Sequence, residues 1–342
     1  MLRKLGTSAG LFAIALAGAV QYYFLSPGPA LSPPRIVSIR KGESLRAVAR
    51  DLAANAIIRN PLPLLIWAKL SGVATRVQPG DYAFKGGEDV AGVMRHLVNG
   101  DFMTVTVAIP EGMTLHQIAQ RLEAAGLVCD RRFEDAARRG PLVTALGLPP
   151  PWGAEGYLFP ATYRFSPRAT TDTMLAAMLA RFNQILTPAV EEQMFRLGID
   201  ARELVTLASI VEKEAKVPGE RPLIAGVFYN RLRLKMPLQS DPTAQYSLDG
   251  EISRAAIAVH TPSAFNTYTI AGLPPGPIAN PGLASIRATL YPIATDYLYF
   301  VARSDGTHVF SRSFSEHQRA LTAIIAANRG LERKAAARAR TE

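Results

Sequence analysis

The stretch VSIRKGESL at residues 37–45 recurs as VAIPEGMTL at residues 107–115. In both stretches apolar residues occupy every second position, a glycine follows, and a Ser or Thr precedes a leucine that opens an amphipathic pattern. Alternation is typical of a half-buried strand, glycine of a tight turn, and Ser or Thr of a helix N-cap. Each stretch therefore predicts a strand, a turn and a capped helix, and the chain is expected to have an α+β fold.

This strand–turn–helix order resembles the LysM module, which binds glycans that contain N-acetylglucosamine. The resemblance implies a LysM-like and connecting region over residues 36–140. Two alternatives stay open: a generic strand–helix unit without a ligand, and a second copy that serves only as the entry element of the next domain. Whether this region binds glycan is left open.

The remainder of the chain predicts helices and one β-hairpin. The predicted helices span 90–98, 171–186, 188–197, 201–215, 221–234 and 315–329. Asp305-Gly306 between two apolar runs predicts a hairpin of strands 298–302 and 308–311, and Ser315 is the expected cap of the last helix. We expect an α+β catalytic domain at residues 141–330 and a basic tail at 331–342.

The amino terminus predicts export and anchoring. Arg3 and Lys4 precede an apolar stretch at residues 8–25, which is close to the length that a helix needs to cross a bilayer. Because the positive residues come first, residues 1–7 are expected in the cytoplasm and the body in the periplasm, at the inner membrane, after a linker at 26–35. A cleaved signal peptide is the alternative, since small residues recur around Ala17.

Composition limits the partners and cofactors that the chain is expected to bind. The net charge of +10 suits a nucleic acid, a membrane surface or an acidic polymer, but basic stretches interleaved with aromatics are missing. We therefore expect no nucleic-acid partner. A single cysteine, Cys129, excludes an intrachain disulfide, and the histidines lack a ligand spacing such as HExxH. Neither a metal nor another cofactor is expected, and the lack of a GxSxG elbow disfavours a serine hydrolase.

The predicted helix at 201–215 places one carboxyl group at the edge of its apolar face. That face carries Leu204, Leu207, Ala208, Val211 and Ala215. Glu212 lies on its shoulder, between core and solvent, and Lys213 is expected to point outward. A carboxyl group there can be partly desolvated, which suits an acid that delivers a proton to a glycosidic oxygen. On helix geometry alone, a flanking surface charge is the simpler interpretation.

Three loop segments combine amide, hydroxyl and aromatic side chains. They are EGYLFPATY at 155–163, LQSDPTAQY at 238–246 and HTPSAFNTYT at 260–269. Such a combination is typical of a carbohydrate groove, in which rings stack on sugars and polar groups orient hydroxyls. Each segment taken alone is equally compatible with an ordinary Pro/Gly loop.

Together with LASIVEKEA at 207–215, FYNRL at 228–232 and TPSAFNTYTIAGLPPGPIANPG at 261–282, these segments resemble the endolytic murein transglycosylase (YceG-like) family. The resemblance implies a peptidoglycan lytic transglycosylase that cleaves the MurNAc–GlcNAc bond without water. The product is a 1,6-anhydro-MurNAc end, and the reaction would terminate nascent glycan strands. The resemblance also implies that Glu212 is the catalytic glutamate, first as acid and then as base.

The same resemblance suggests substrate-binding residues and partners. The candidates for substrate binding are Gln239, Asp241, Thr243, Asn266, Tyr268 and Glu155, of which Asp241 and Glu155 could instead shape the site. The partners implied are peptidoglycan glycan strands and the synthases that polymerise them. Two alternatives remain: a muramidase that uses Asp241 or Glu155 as its second carboxylate, and a non-catalytic, membrane-anchored scaffold that binds peptidoglycan.

Overall fold

The structure, a computed structural model, describes residues 18, 21–148, 150, 152–246 and 262–338. The chain divides into two compact units. One comprises Met1–Thr106 with Arg164–Ala169, and the other comprises Val107–Tyr163 with Thr170–Glu342. Helices and paired strands are mixed along the chain, which confirms the α+β class.

The first unit contains the first copy of the repeat. Its elements are a π-helical turn at Gln21–Leu25, β1 at Ala30–Ile39, α1 at Leu45–Ala54, α2 at Pro61–Leu70, β2 at Gly80–Gly86 and α3 at Val90–Asn99. β1 and β2 pair antiparallel, with Val37 opposite Tyr82. Ser44 caps α1 by accepting the Ala47 N–H, as predicted. The buried faces of both strands and three helices share one apolar core.

The second copy of the repeat has the same order of elements plus one short helix. Its elements are β3 at Val105–Ile109, α4 at Leu115–Ala124, α5 at Asp130–Arg139, α6 at Pro141–Ala145 and β4 at Ala161–Phe165. β3 pairs with β4. Thr114 caps α4 in a capping box with Gln117. The repeat predicted from the sequence is therefore a strand–helix–helix–strand arrangement, present twice at residues 30–86 and 105–165.

The rest of the second unit is mainly helical. Its elements are α7 at Thr171–Asn183, α8 at Pro188–Leu197, α9 at Ala201–Glu214, a 3₁₀ turn at Pro218–Glu220, α10 at Arg221–Arg233, α11 at Asp241–Gln245, α12 at Leu283–Leu290, β5 at Tyr299–Ala302, β6 at His308–Ser311 and α13 at Phe314–Arg338. The predicted helices and the hairpin are confirmed to within a few residues, except that the last helix continues nine residues beyond its predicted end at Arg329. α12 was not predicted, because it has only eight residues and begins after Gly282, which offers no side-chain cap.

α9 lies in the middle of this unit. Every residue from Leu204 to Val211 is buried, so the helix is enclosed on all sides rather than on the single face expected. The Ser209 hydroxyl donates to the Thr206 carbonyl and accepts the Ile278 N–H at 3.0 Å, which ties the loop before α12 to α9.

The structure bears on three further predictions: the cap of the last helix, the extent of the LysM-like region and the membrane anchor. The last helix begins at Phe314, and it is the Ser313 hydroxyl, not Ser315, that accepts the Glu316 N–H at 3.3 Å. The structure groups residues 107–140 with the second unit, in which the Gly112 N–H donates to the Asn280 carbonyl at 2.8 Å. Most of the predicted anchor at 8–25 lies outside the described residues. Within the described part of the chain, none of the helices has both the length and the apolar character needed to cross a membrane.

Candidate active site

Glu212 lies in the last turn of α9, directly after the enclosed part of the helix. Its side chain is 7% exposed, so most of the carboxyl group is shielded from water. The helix begins at Asp200 with a capping box that includes Glu203, which fixes the register of α9 from its first turn. The sequence predicted that Glu212 lies at the edge of the apolar face, between core and solvent. In the structure its side chain is more deeply buried than that.

Two donors hold the Glu212 carboxylate. The Gly282 N–H donates to Oε2 at 3.0 Å, and the Arg221 guanidinium donates to Oε1 at 3.4 Å. Arg221 is fixed in turn by a 3.0 Å bond from its Nε to the Ser285 hydroxyl. Gly282 and Ser285 flank the start of α12, and Arg221 begins α10. Three elements therefore position one carboxyl group, through one backbone donor and one charged donor.

The turn of the second copy packs onto Glu212. Gly112 has a φ of +75°, and a Cβ placed on it would lie 3.5 Å from the Glu212 Cγ. The Lys213 ammonium donates to the Gly112 carbonyl at 3.2 Å, so the prediction that Lys213 points into solvent is wrong. Burial lowers the pKa of Lys213, while the charges of Glu212 and Glu155 oppose that shift.

Glu111, which precedes that glycine, brings a second carboxylate to the site. Its Oε1 occupies the space beside Gly282: a Cβ built on Gly282 would lie 1.9 Å from it. Gly282 has a φ of −78°, which any residue can adopt, so crowding rather than backbone strain favours glycine there. Burial and the charge of Glu212 raise the pKa of Glu111, and Arg221 partly opposes the shift.

Glu155 is fully buried at the start of α4. Its carboxylate accepts the Leu115 N–H at 3.0 and 3.1 Å, the Tyr246 hydroxyl at 3.0 Å and the Asn280 amide at 3.0 Å. The Leu115 N–H is one of the donors at the start of α4 that has no partner within the helix. Burial raises the pKa of Glu155 to about 7, although the bonds from Leu115 and Tyr246 limit the shift. Its carboxylate joins three segments and does not reach the surface.

The structure brings the other candidates together between the loops at 238–246 and 262–270. Thr243 and Asn266 are buried: the Thr243 hydroxyl donates to the Ser240 carbonyl at 2.6 Å, and the Asn266 side-chain oxygen accepts the Tyr268 N–H at 3.0 Å. Both bonds are local and shape the loops. Asp241 is exposed and accepts a hydrogen bond of 2.5 Å from the half-buried Tyr268 hydroxyl.

Gln239 is exposed and has an unusual backbone conformation. Its φ is +51°, and its N–H donates to the Thr267 carbonyl at 3.0 Å. The side-chain oxygen accepts a bond of 3.1 Å from the buried guanidinium of Arg231. A non-glycine residue in the left-handed region is held there by its surroundings, and such residues are enriched at functional sites.

Glu214 connects these loops to α9. The Ser240 hydroxyl donates to its carboxylate at 2.5 Å. Burial raises the pKa of Glu214 to about 7; the bond from Ser240 lowers it, and the nearby charge of Asp241 raises it further. The two carboxylates near the end of α9 therefore face different surroundings: Glu212 faces the second copy and α12, and Glu214 faces the loop that carries Gln239.

Sequence reasoning missed the residues that surround Glu212: Glu111, Arg221, Lys213 and Gly282. The repeat offered one signal, because the first copy has Lys41 before its turn glycine where the second copy has Glu111. A change of charge at a matched position marks a different environment. Nothing in the sequence pattern brings Arg221 or Gly282 next to Glu212, because those contacts depend on how α10 and α12 pack against α9.

Residues 37–323 of this chain match the YceG-like family. A Bacillus subtilis (strain 168) protein named endolytic murein transglycosylase is 33% identical over 304 residues, which cover 83% of this chain and 83% of that protein. A protein of the same name from Streptococcus pneumoniae serotype 2 is 31% identical over 315 residues, covering 83% of this chain and 57% of that protein. The crystal structure of a YceG-like protein from Listeria monocytogenes aligns with a TM-score of 0.59 at 29% identity, covering 84% of this chain and 98% of that one.

Proposed function

The chain belongs to the YceG-like family, and from that premise we propose that it is an endolytic murein transglycosylase with Glu212 as its acid and base. The observation that carries the assignment of Glu212 is its environment: a carboxyl group 7% exposed, fixed by Gly282 and Arg221, in the segment where the family resemblance is strong. The substrate is the glycan strand of peptidoglycan, and the enzyme acts at the cell wall.

The reaction needs one carboxyl group in two successive roles. Protonated Glu212 delivers its proton to the oxygen that links MurNAc to the departing GlcNAc, and the glycosidic bond breaks through an oxocarbenium-like transition state. The Glu212 carboxylate then takes the proton of the MurNAc C6 hydroxyl, whose oxygen bonds to C1 and closes the 1,6-anhydro ring. The acid is restored, and no water enters the products.

The donors around Glu212 suit both steps. The Gly282 N–H and Arg221 stabilise the carboxylate that forms when the proton leaves. They also fix its orientation, because they bind its two different oxygens. A carboxyl group held this way can return to the C6 hydroxyl without reorienting between the steps.

Sugar binding is proposed for Gln239 and Tyr268, whose polar groups lie at the surface of the loops at 238–246 and 262–270. Asp241 orients Tyr268 through their hydrogen bond. Thr243, Asn266 and Glu155 are proposed to keep these segments in place from below, because all three are buried.

Location, partners and domain roles extend this proposal. Residues 8–25 would anchor the enzyme in the inner membrane with residues 1–7 in the cytoplasm, and the body would work in the periplasm, beside the synthases that polymerise glycan. The first copy of the repeat would be the LysM-like module. An affinity pull-down from membranes that recovers no synthase would contradict the partner assignment.

A muramidase remains the second candidate, and one observation favours it: Glu111 brings a second carboxylate next to Glu212. Paired carboxylates are what a hydrolase needs to cleave the same bond with water. Product mass separates the two activities, because an anhydro end lacks the mass of one water.

The test is digestion of purified peptidoglycan with the wild-type enzyme and with Glu212→Gln, followed by mass spectrometry. Wild type should release fragments with 1,6-anhydro-MurNAc ends, and Glu212→Gln should lose on the order of 10²–10⁴-fold in rate. Glu192→Gln is a matched control, since Glu192 is an exposed carboxylate on α8 of the same unit. Hydrated reducing ends, or a Glu212→Gln variant as active as wild type, would contradict the proposal.

A further inference from the structure

Glu111 has no role in the reaction described above, which needs one carboxyl group. Yet its carboxylate lies against Gly282, the residue whose N–H binds Glu212, and Gly282 has no side chain to displace it. The turn that carries Glu111 is fixed on both sides. The Gly112 N–H donates to the Asn280 carbonyl at 2.8 Å, and Lys213 donates to the Gly112 carbonyl at 3.2 Å.

The other polar groups around Glu212 are a backbone donor and two cations. Arg221 and the Gly282 N–H bind the carboxylate directly, and Lys213 adds a positive charge from the next position of α9. The first step of the reaction requires a Glu212 that carries its proton when the glycan arrives, so the balance of charge around it matters.

We propose that Glu111 is a positioning residue of the active site, whose negative charge beside Gly282 offsets the positive charges of Arg221 and Lys213 around Glu212. The charge of Glu212 contributes to the raised pKa of Glu111, as expected when two carboxyl groups oppose each other's negative charge. This inference rests on the proposed function and adds a residue to it.

The charged groups that face this pair come from three elements. Arg221 at the start of α10 and Lys213 on α9 are positive, and Glu155, buried below the turn, contributes a carboxyl group that acts on Lys213. The pair is therefore balanced by two cations. Removal of the Glu111 charge leaves those cations unopposed.

The experiment measures the pH profile of kcat/KM for wild type, Glu111→Gln and Glu111→Asp on soluble glycan strands, with anhydro ends quantified by mass spectrometry. The activity of a general acid falls as pH rises and the acid loses its proton. In Glu111→Gln this alkaline limb should move to lower pH by about one unit, because the neighbouring negative charge is gone. Glu111→Asp keeps the charge and should recover most of the wild-type profile.

Glu123→Gln is the matched control, since Glu123 is an exposed carboxylate on α4 of the same copy, and its profile should follow wild type. Equal melting temperatures would show that the variants are folded. A Glu111→Gln profile that superimposes on wild type would overturn the inference. Loss of activity at every pH would overturn it too, because it would make Glu111 a second catalytic carboxylate. Failure of the proposed function would be seen separately, as hydrated ends released by the wild-type enzyme.

Discussion

The two copies of the repeat share their local structure and differ in what their turns contact. Both have a strand, a turn glycine in the left-handed region, with φ of +82° at Gly42 and +75° at Gly112, and a capped helix of ten residues. A Cβ placed on Gly42 would meet nothing within 4 Å. A Cβ placed on Gly112 would contact Glu212 and Lys213.

The surroundings of each turn follow from that difference. In the first copy the turn lines an open, polar cavity of about 440 Å³, together with Ser38, Arg40, Lys41, Glu43 and Asp51. In the second copy the same turn places the Glu111 carboxylate beside Gly282, whose N–H binds Glu212 on α9. Local sequence therefore specifies the repeated fold, whereas the chemistry of each copy depends on which elements pack against its turn.

The largest expected effect is a loss of stability when Glu155, the carboxylate at the start of α4 in the second copy, is removed. Glu155→Ala removes the partner of three buried donors, from Leu115, Tyr246 and Asn280. Since each unsatisfied buried donor costs about 1–3 kcal/mol, the free energy of unfolding should fall by at least ~3 kcal/mol. In the first copy, Glu43→Ala removes an exposed bond to the Arg40 N–H and should cost less than about 1 kcal/mol. Urea unfolding measures both, and equal losses would contradict the comparison.

The same buried carboxylate predicts a pH dependence of stability. The folded-state pKa of Glu155, about 7, lies above its ordinary value of 4.5, so the folded protein binds the proton more tightly than the unfolded chain. This stabilisation is complete below about pH 4.5 and is lost as pH rises through about 7. As pH rises, ionisation of Glu155 lowers the free energy of unfolding by about 3 kcal/mol at most. Ionisation of Glu214 lowers it further, because the pKa of Glu214 is also raised in the folded protein.

Urea unfolding between pH 5 and 8 checks this prediction in wild type and in Glu155→Gln, whose amide does not titrate. The wild-type protein should become less stable as pH rises, and the variant should show a smaller slope. A wild-type free energy of unfolding that is constant or rises across this range would show that the buried carboxylates do not titrate as described.

The third prediction tests the contact between Glu111 and Gly282. Gly282→Ala places a Cβ where the Glu111 carboxylate lies, and should lower kcat/KM by about 10- to 100-fold, because Glu111 and the donor to Glu212 are both displaced. In a Glu111→Ala background the same substitution should cost much less, since the crowding is relieved. A double-mutant cycle on activity measures the difference, and additive losses would show that the two residues act independently.

The smallest expected effect compares the two turn glycines directly. Gly42→Ala and Gly112→Ala should each destabilise the protein by about 1 kcal/mol, because alanine is strained at positive φ. Only Gly112→Ala should also lower activity, by a few fold, because its turn rests on Glu212. Thermal unfolding and glycan digestion separate the two effects; an equal loss of activity in Gly42→Ala would mean that the first turn also takes part in the reaction.

Sequence patterns predicted the elements whose signals are local. The strand, turn glycine and Ser44 or Thr114 cap of each copy were predicted, as was the hairpin around Asp305-Gly306, because each depends on a few adjacent residues. α2 was missed because its residues, PLPLLIWAKL, are apolar on nearly every side and show no helical period. Asn60 as N-cap and Pro61 in the first turn were the signals that could have found it.

The candidate site was predictable only in part. Helix geometry placed Glu212 at the edge of the core, and the family resemblance singled it out from other such glutamates. Its partners Glu111, Arg221 and Gly282 come from three distant parts of the chain, and no periodicity relates them. Thr243 and Asn266 were predicted as sugar ligands from their side chains; in the structure both are buried, Thr243 hydrogen-bonds to Ser240 and to Thr267 of the neighbouring loop, and Asn266 accepts the Tyr268 N–H.

The central claim, that Glu212 is the acid and base of a non-hydrolytic cleavage, is tested most directly by the mass of the glycan ends that the enzyme produces. Purified peptidoglycan treated with wild type should yield 1,6-anhydro-MurNAc ends, and the same digest with Glu212→Gln should yield them at a rate lower by on the order of 10²–10⁴-fold while the variant remains folded. Hydrated ends from wild type, or anhydro ends released by Glu212→Gln at the wild-type rate, would contradict the account.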